Sequence, residues 1–160
     1  METYKLETET PIGVIEIVGT EKVIQSILFV EREVAQLPEP DVPDVLRQCK
    51  EELDAYFRGN RMMFTFPIEQ VGTTFQRDVW NALQTIPFAE TTSYRELARR
   101  VKRPAAVRAV GATNGRNKLS IVVPCHRVIG SNGKLTGFAG GLWRKEWLLH
   151  HEKQVEHQTQ

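Results

Sequence analysis

The chain has 160 residues, room for one or two small domains, and its 41% apolar and 26% charged residues exclude disorder as the dominant state. The net charge of +1 hides a division: residues 1–71 hold 7 Lys/Arg against 14 Asp/Glu, net −7, and the remaining 14 basic and 6 acidic residues make the rest +8. No apolar run reaches membrane-spanning length, the start Met1-Glu2-Thr3-Tyr4-Lys5 lacks a signal peptide's basic-then-apolar plan, and two cysteines, Cys49 and Cys125, cannot build a disulfide framework. The expectation is a soluble cytoplasmic protein with no membrane attachment, no metal and no cofactor, since no Cys-x-x-Cys or His/Cys cluster is present.

In chain order, Ile12 to Val18 and Val23 to Val30 are β-branched apolar runs separated by Gly19-Thr20-Glu21-Lys22, the pattern of a hairpin. Val34 to Asp44 is an acidic connector dotted with Pro38, Pro40 and Pro43. Val45, Leu46, Cys49, Leu53, Tyr56 and Phe57 then recur at helical spacing, with Pro43 near the start and Gly59 just past the end. Cys49 lies on that stripe and reads as core. Met62 to Phe66 is expected as a further strand and Pro67 to Gly72 as the linker between two domains, 1–70 and 71–155, with 156–160 a polar tail that frays from about Lys153.

Thr73-Thr74-Phe75-Gln76 is a capping box that opens a helix with the stripe Phe75, Val79, Leu83 and Ile86, stopped by Pro87. Ser93-Tyr94-Arg95-Glu96 is a second one, opening a helix to about Val101. After Lys102-Arg103, Pro104 suits the first turn of a helix from Ala105 to Asn114, closed by Gly115. Two short, tightly joined basic helices fit a helix-turn-helix. From Arg95 to Arg127 there are nine basic side chains against the single acid Glu96, which suits either a solvated face or a polyanion. The second helix is rich in small residues, Ala105, Ala106, Ala109 and Ala112, which suits either tight packing on a neighbouring helix or close approach to a partner.

Leu119 to Val123 reads as a buried strand ending at Pro124-Cys125-His126-Arg127-Val128. A thiol is a useful nucleophile only as thiolate, and an imidazole with nearby positive charge is what lowers its pKa. Neighbours on a regular strand point to opposite faces, so a Cys125–His126 relay requires irregular backbone at Pro124 or a bridging water.

Pro124-Cys125-His126-Arg127-Val128 resembles the active-site signature of the O6-alkylguanine-DNA alkyltransferases. The resemblance extends over most of residues 73–152. It takes in Ser93-Tyr94, Arg108-Ala109-Val110-Gly111, Asn117, Gly137-Phe138-Ala139-Gly140-Gly141-Leu142 and Lys145-Glu146-Trp147-Leu148-Leu149. It implies that Cys125 accepts the alkyl group from guanine O6 in one irreversible displacement, after the base is flipped out of double-stranded DNA. His126, through a water, and Glu152 would draw off the thiol proton. Arg108 would fill the gap in the stack, and Tyr94 would turn the phosphate and hydrogen-bond the flipped base. Asn117 would hold the turn before the active site. Val128, Phe138, Ala139 and Gly140 would line the guanine pocket, while Ala105, Ala106, Ala109, Asn114 and Arg116 would meet DNA.

The same resemblance implies an α+β fold: a small α/β amino-terminal domain with an antiparallel sheet, then a mainly helical, winged-helix-like domain. It also implies a monomer that can bind DNA cooperatively. Phe138-Ala139 stands where some relatives carry Tyr-Ser, so those hydroxyls are missing. Read singly, each residue has a plainer role: Arg108 as a phosphate contact, Glu152 as a solvated acid, Tyr94 as packing and Asn117 as a turn former. Two other functions compete. A recognition module that flags lesions without transfer typically has Trp in place of the cysteine, and position 125 is Cys. A cysteine hydrolase would need an oxyanion hole and would leave the basic helix pair unexplained.

Overall fold

A computed structural model describes residues 2–35 and 38–158 and divides the chain into two units between Glu69 and Gln70. The first unit is a three-stranded antiparallel sheet in the order β1 (Tyr4–Thr10), β2 (Gly13–Gly19), β3 (Ile24–Val30), covered by helix α1 (Asp44–Phe57). The connector 34–44 includes residues 36 and 37, which lie outside the described residues.

The hairpin joining β2 and β3 is as expected, with Thr20 donating its N–H to the Val23 carbonyl at 2.9 Å. Strand β1 was not legible in its sequence. Its only aliphatic residue is Leu6, and the unit instead buries Glu7 and Thr8, satisfied by Arg32 and by Asp54 at 2.6 Å. Ile15, Ile17, Ile24 and Ile27 of the sheet and Leu46, Cys49, Leu53 and Tyr56 of α1 form the core. Cys49 is fully buried there, and burial pushes its thiol far up.

The strand expected at Met62–Phe66 does not form. Pairing falls instead at Ile68, which bridges Ile24, with the Ile24 N–H on the Pro67 carbonyl and the Glu69 N–H on the Ile24 carbonyl, both at 2.9 Å. Residues 67–69 of the expected linker therefore belong to the first unit.

The second unit is mainly helical. Helix α2 (Thr74–Leu83) opens with the full capping box, Thr73 and Gln76 satisfying each other's backbone N–H, and buries Val79, Trp80 and Leu83. Strand β4 (Thr92–Ser93) pairs in parallel with β5 (Val128–Ile129). Ser93 then caps helix α3 (Tyr94–Arg100), its Oγ accepting from the Glu96 N–H at 3.0 Å. The Glu96 carboxylate faces Arg99 and Arg100 instead of closing a second box.

Helix α4 (Val107–Gly115) starts two residues later than its sequence suggested, and Ala106 is its N-cap. The Trp80 indole N–H reaches the Thr113 carbonyl at 3.0 Å, tying α2 to α4. Helix α5 (Leu142–Gln158) runs through the segment expected to fray, with Val155 buried, so the boundary at 155/156 falls inside a helix.

Candidate active site and nucleic-acid interface

Residues 119–123 are the largest departure from expectation: after a single bridge residue at Leu119 they form turns and a bend, not a strand. Ile121 has φ +74°, a left-handed conformation costly for a β-branched residue. Asn117 supplies the physical reason. Its Nδ2 lies 2.8 Å from the Val123 carbonyl and 3.3 Å from that of Leu119, and its Oδ1 accepts the Leu119 N–H at 3.0 Å. A buried amide that bonds three backbone groups of one short segment outcompetes a sheet ladder for them.

The same Nδ2 donates to Cys125 Sγ at 3.3 Å. Cys125 opens a single 3-10 turn, Cys125–Arg127, which removes the alternation that would have sent Cys125 and His126 to opposite faces. The thiol is 5% exposed, and burial raises its pKa; Asn117 and the charge of Lys145 offset part of that rise. At rest Cys125 is therefore a thiol, and a nucleophilic role needs a base.

His126, next in the chain, is the candidate for that base. It is fully buried, with Nε2 2.7 Å from Glu152 Oε2, and its Nδ1 has no hydrogen-bond partner among the described residues. Burial holds the imidazole below its ordinary pKa against the opposing pull of Glu152, so it is neutral and can accept a proton. Burial alone would raise the Glu152 pKa, but His126 and Arg127 override it and hold the carboxyl below the usual carboxylate range.

Glu152 also accepts the Ala89 N–H at 3.1 Å, with Ala89 in the left-handed region at φ 65°. Arg127 grips Glu152 from the other side, Nε at 2.9 Å and Nη2 at 3.1 Å, while its Nη1 reaches the Ile86 carbonyl at 2.7 Å. It is 6% exposed, so it is no part of the basic surface in which its sequence neighbours suggested counting it.

Lys145 is fully buried, donates to the Thr136 carbonyl at 2.6 Å, and is held down to about 8 by burial, with Cys125 pulling the other way. Tyr94 Oη donates to the same carbonyl at 3.2 Å. Both tie down the loop carrying the expected pocket residues, of which Phe138 and Gly140 are half-buried, Ala139 exposed, and Val128 of β5 fully buried. Arg127 and Lys145 escaped the sequence reading. Lys145, Leu148 and Glu152 recur at three and four residues on one face of α5, the spacing that marks Lys145 as an inward residue.

On α4 the exposed residues are Arg108, Ala109, Ala112 and Gly115, and Ala105 just before the helix and Arg116, its C-cap, are exposed too. They recur at three and four residues and form one stripe. The small side chains thus face outward and do not pack on a neighbouring helix. Ala106 is half-buried. Asn114, expected at a DNA surface, is 2% exposed, and its Nδ2 donates to the Cys125 carbonyl at 3.3 Å, so it braces the cysteine's backbone.

A shielded thiol followed in the chain by a buried neutral imidazole, in the same unit as a basic helix face open to a large anionic partner, suits a cysteine nucleophile that works on nucleic acid. Residues 74–154 match the family model described as 6-O-methylguanine DNA methyltransferase, DNA binding domain, and residues 3–70 match that of the same enzyme's ribonuclease-like domain.

The methylated-DNA–protein-cysteine methyltransferase of Mycolicibacterium paratuberculosis is 44% identical over 147 residues, 91% of this chain and 89% of that one. That of Methanosarcina mazei is 45% identical over 148 residues, 91% and 94% of the two chains. Among solved structures, the Mycobacterium tuberculosis O6-methylguanine methyltransferase superposes with a TM-score of 0.85 at 40% identity, covering 96% of this chain and 94% of that one. The complex of the M. tuberculosis protein with DNA gives 0.84 at 42%, covering 93% and 92%. The chain belongs to the 6-O-methylguanine-DNA methyltransferase family.

Proposed function

We infer that this protein repairs DNA by moving an alkyl group, methyl in the simplest case, from guanine O6 onto its own Cys125. The carrying observation is a pair of buried contacts on neighbouring residues, Asn117 on Cys125 Sγ and Glu152 on His126 Nε2, inside the unit that matches the family's DNA-binding domain.

The thiol proton leaves for His126 Nδ1 through one water, and the imidazolium so formed faces the ionised Glu152. Sγ then attacks the alkyl carbon. The S–C bond forms as the C–O6 bond breaks, and the electron pair left on the base takes up the proton that the imidazolium gives back through water, returning guanine and a neutral His126. A thioether on Cys125 is not hydrolysed under mild conditions, so each molecule acts once.

The α4 stripe supports the delivery step. An O6-alkyl group within a duplex offers no line of attack, and turning the base out costs a few kcal/mol. Exposed Ala105, Ala109 and Ala112 let backbone approach a narrow groove, and Arg108 on the same stripe reaches into the vacated stack. Tyr94 steadies the flipped nucleotide, and Val128, Phe138, Ala139 and Gly140 surround the base. Phosphate contact from Arg116 and its basic neighbours carries no sequence preference, as repair of scattered lesions requires. The protein works as a monomer in the cytoplasm, where copies can bind cooperatively along one duplex. Among the described residues, no helix is long and apolar enough to cross a membrane.

The test is intact mass and peptide mapping after incubation with a duplex carrying one O6-methylguanine. One methyl group on the Cys125 peptide, saturating at one per protein and absent in Cys125→Ala, is expected. Unchanged mass with lesion-selective binding would instead mean recognition without transfer.

A further inference from the structure

The contacts around Glu152 leave a buried cation without a part in the chemistry above. Arg127 presents Nε and Nη2 to the Glu152 carboxylate at 2.9 and 3.1 Å, and its third nitrogen is held by the Ile86 carbonyl at 2.7 Å. The guanidinium lies 5.7 Å from the centre of the Phe88 ring, so it is walled as well as bonded. Its fork is fixed, and it fixes the carboxylate in turn.

We propose that Arg127 is a positioning residue for alkyl transfer: by gripping Glu152 it aims Oε2 at His126 Nε2 and so keeps the imidazole in the one tautomer that leaves Nδ1 free to take the cysteine's proton. This rests on the reading of Cys125 as alkyl acceptor and His126 as its base.

The argument is one of proton inventory. A neutral imidazole carries one N–H, and a carboxylate can only accept, so the 2.7 Å contact between Nε2 and Oε2 places the proton on Nε2. Nδ1, buried and without a partner, is then the lone pair. Were Glu152 free to swing, the tautomers would mix, and the fraction with Nδ1 protonated could accept nothing from the thiol.

Arg127 has a second effect through charge. The charged groups acting on His126 are Glu152 and Lys145 from α5, with Arg127 from its own turn. Of these only Glu152 favours the imidazolium, while Arg127 and Lys145 oppose it. Arg127 thus lets Glu152 orient the imidazole without leaving it protonated at rest. A lysine at 127 would keep the charge but lose the fork.

The experiment compares wild type, Arg127→Lys and Arg127→Gln in two measurements. The first is single-turnover methyl transfer from an O6-methylguanine duplex between about pH 5 and about pH 9. The second is nitrogen-15 NMR of the histidines in the free proteins, which reads the His126 tautomer whether or not transfer occurs.

The expected result is wild-type His126 as the Nε2–H tautomer and a mixture in both variants. Transfer should slow by about tenfold or more at the optimum in both, with duplex affinity within about twofold of wild type. The acid limb of the rate profile should move to higher pH in Arg127→Gln and stay near the wild-type position in Arg127→Lys. If Arg127→Gln does not fold, the wild-type tautomer and the Arg127→Lys comparison decide.

A wild-type Nδ1–H tautomer, or variants that keep the wild-type tautomer and limb while the rate follows only the folded fraction, would overturn the positioning role. A wild type that transfers nothing, with the tautomer results as expected, would overturn the transferase reading alone.

Discussion

Glu152 accepts from a histidine, an arginine and a backbone amide while fully buried, so much of the second unit's stability is set at one carboxylate. Both Glu152 and His126 are held below their ordinary pKa values, 4.5 and 6.5 respectively, and so bind protons more readily unfolded than folded. For such groups the stabilisation is complete above the unfolded value and is lost as pH falls through the folded one. Acid should therefore weaken the fold first as pH drops below 6.5, through His126, and further below 4.5, through Glu152. Glu152→Gln should cost about 3–5 kcal/mol at neutral pH, because Arg127 becomes a buried cation with no counter-charge. It should also flatten the step below 4.5. Urea unfolding of both proteins across that range checks this, and a variant with the wild-type acid slope would show that the carboxylate is not its source.

At the scale of elements, what the sequence disclosed depended on how local each cause was. Thr73, Gln76 and the stripe Val79 and Leu83 announce α2 because a ten-residue helix carries its face and its cap stands immediately before it. Leu119–Val123 misled because its composition is that of a strand, while the cause of its turns is one side chain, Asn117, whose bonds appear only in space. Strand β1 was hidden because its buried Glu7 and Thr8 are made tolerable by Arg32 and Asp54, 25 and 46 residues away. The cysteine motif stood out on the page, but Arg127 within it looked like one more surface cation, and only its contacts with Ile86 and Glu152 show otherwise. A local cause can still be strict. A Cβ on Gly72 would sit 2.6 Å from Gln76 Oε1 and 2.8 Å from the Trp80 ring. Gln76 can swing away only by breaking the capping box, and Trp80 is packed. Gly72→Ala should therefore cost about 1–3 kcal/mol in denaturant unfolding, with methyl transfer per folded molecule unchanged. Wild-type stability in that variant would show that the approach to α2 has room to shift.

For the whole molecule, net charge is a poor guide to DNA binding, because −7 and +8 reside in different halves of the chain. Counterion release depends on the cations that touch phosphate, not on the sum. Arg95, Lys102, Arg103, Arg108, Arg116 and Lys118 are all exposed, and none has an acidic partner among the described residues. If about four of them neutralise phosphates, the slope of log affinity against log salt is about −3.6, and affinity for undamaged duplex falls about 150-fold between about 50 and about 200 mM salt. A protein governed by its net charge of +1 would show almost no slope. Single substitutions then separate two kinds of cation on the stripe that α4 and its C-cap present. Arg116→Ala should reduce the slope by about 0.9 and weaken binding alike on damaged and undamaged duplexes. Arg108→Ala should instead slow methyl transfer more than it weakens binding, because a side chain that fills the vacated stack acts only once the base is out. Anisotropy titrations over that salt range, paired with single-turnover transfer, distinguish the two. Equal losses of slope and rate at both positions would reduce Arg108 to one phosphate contact among several.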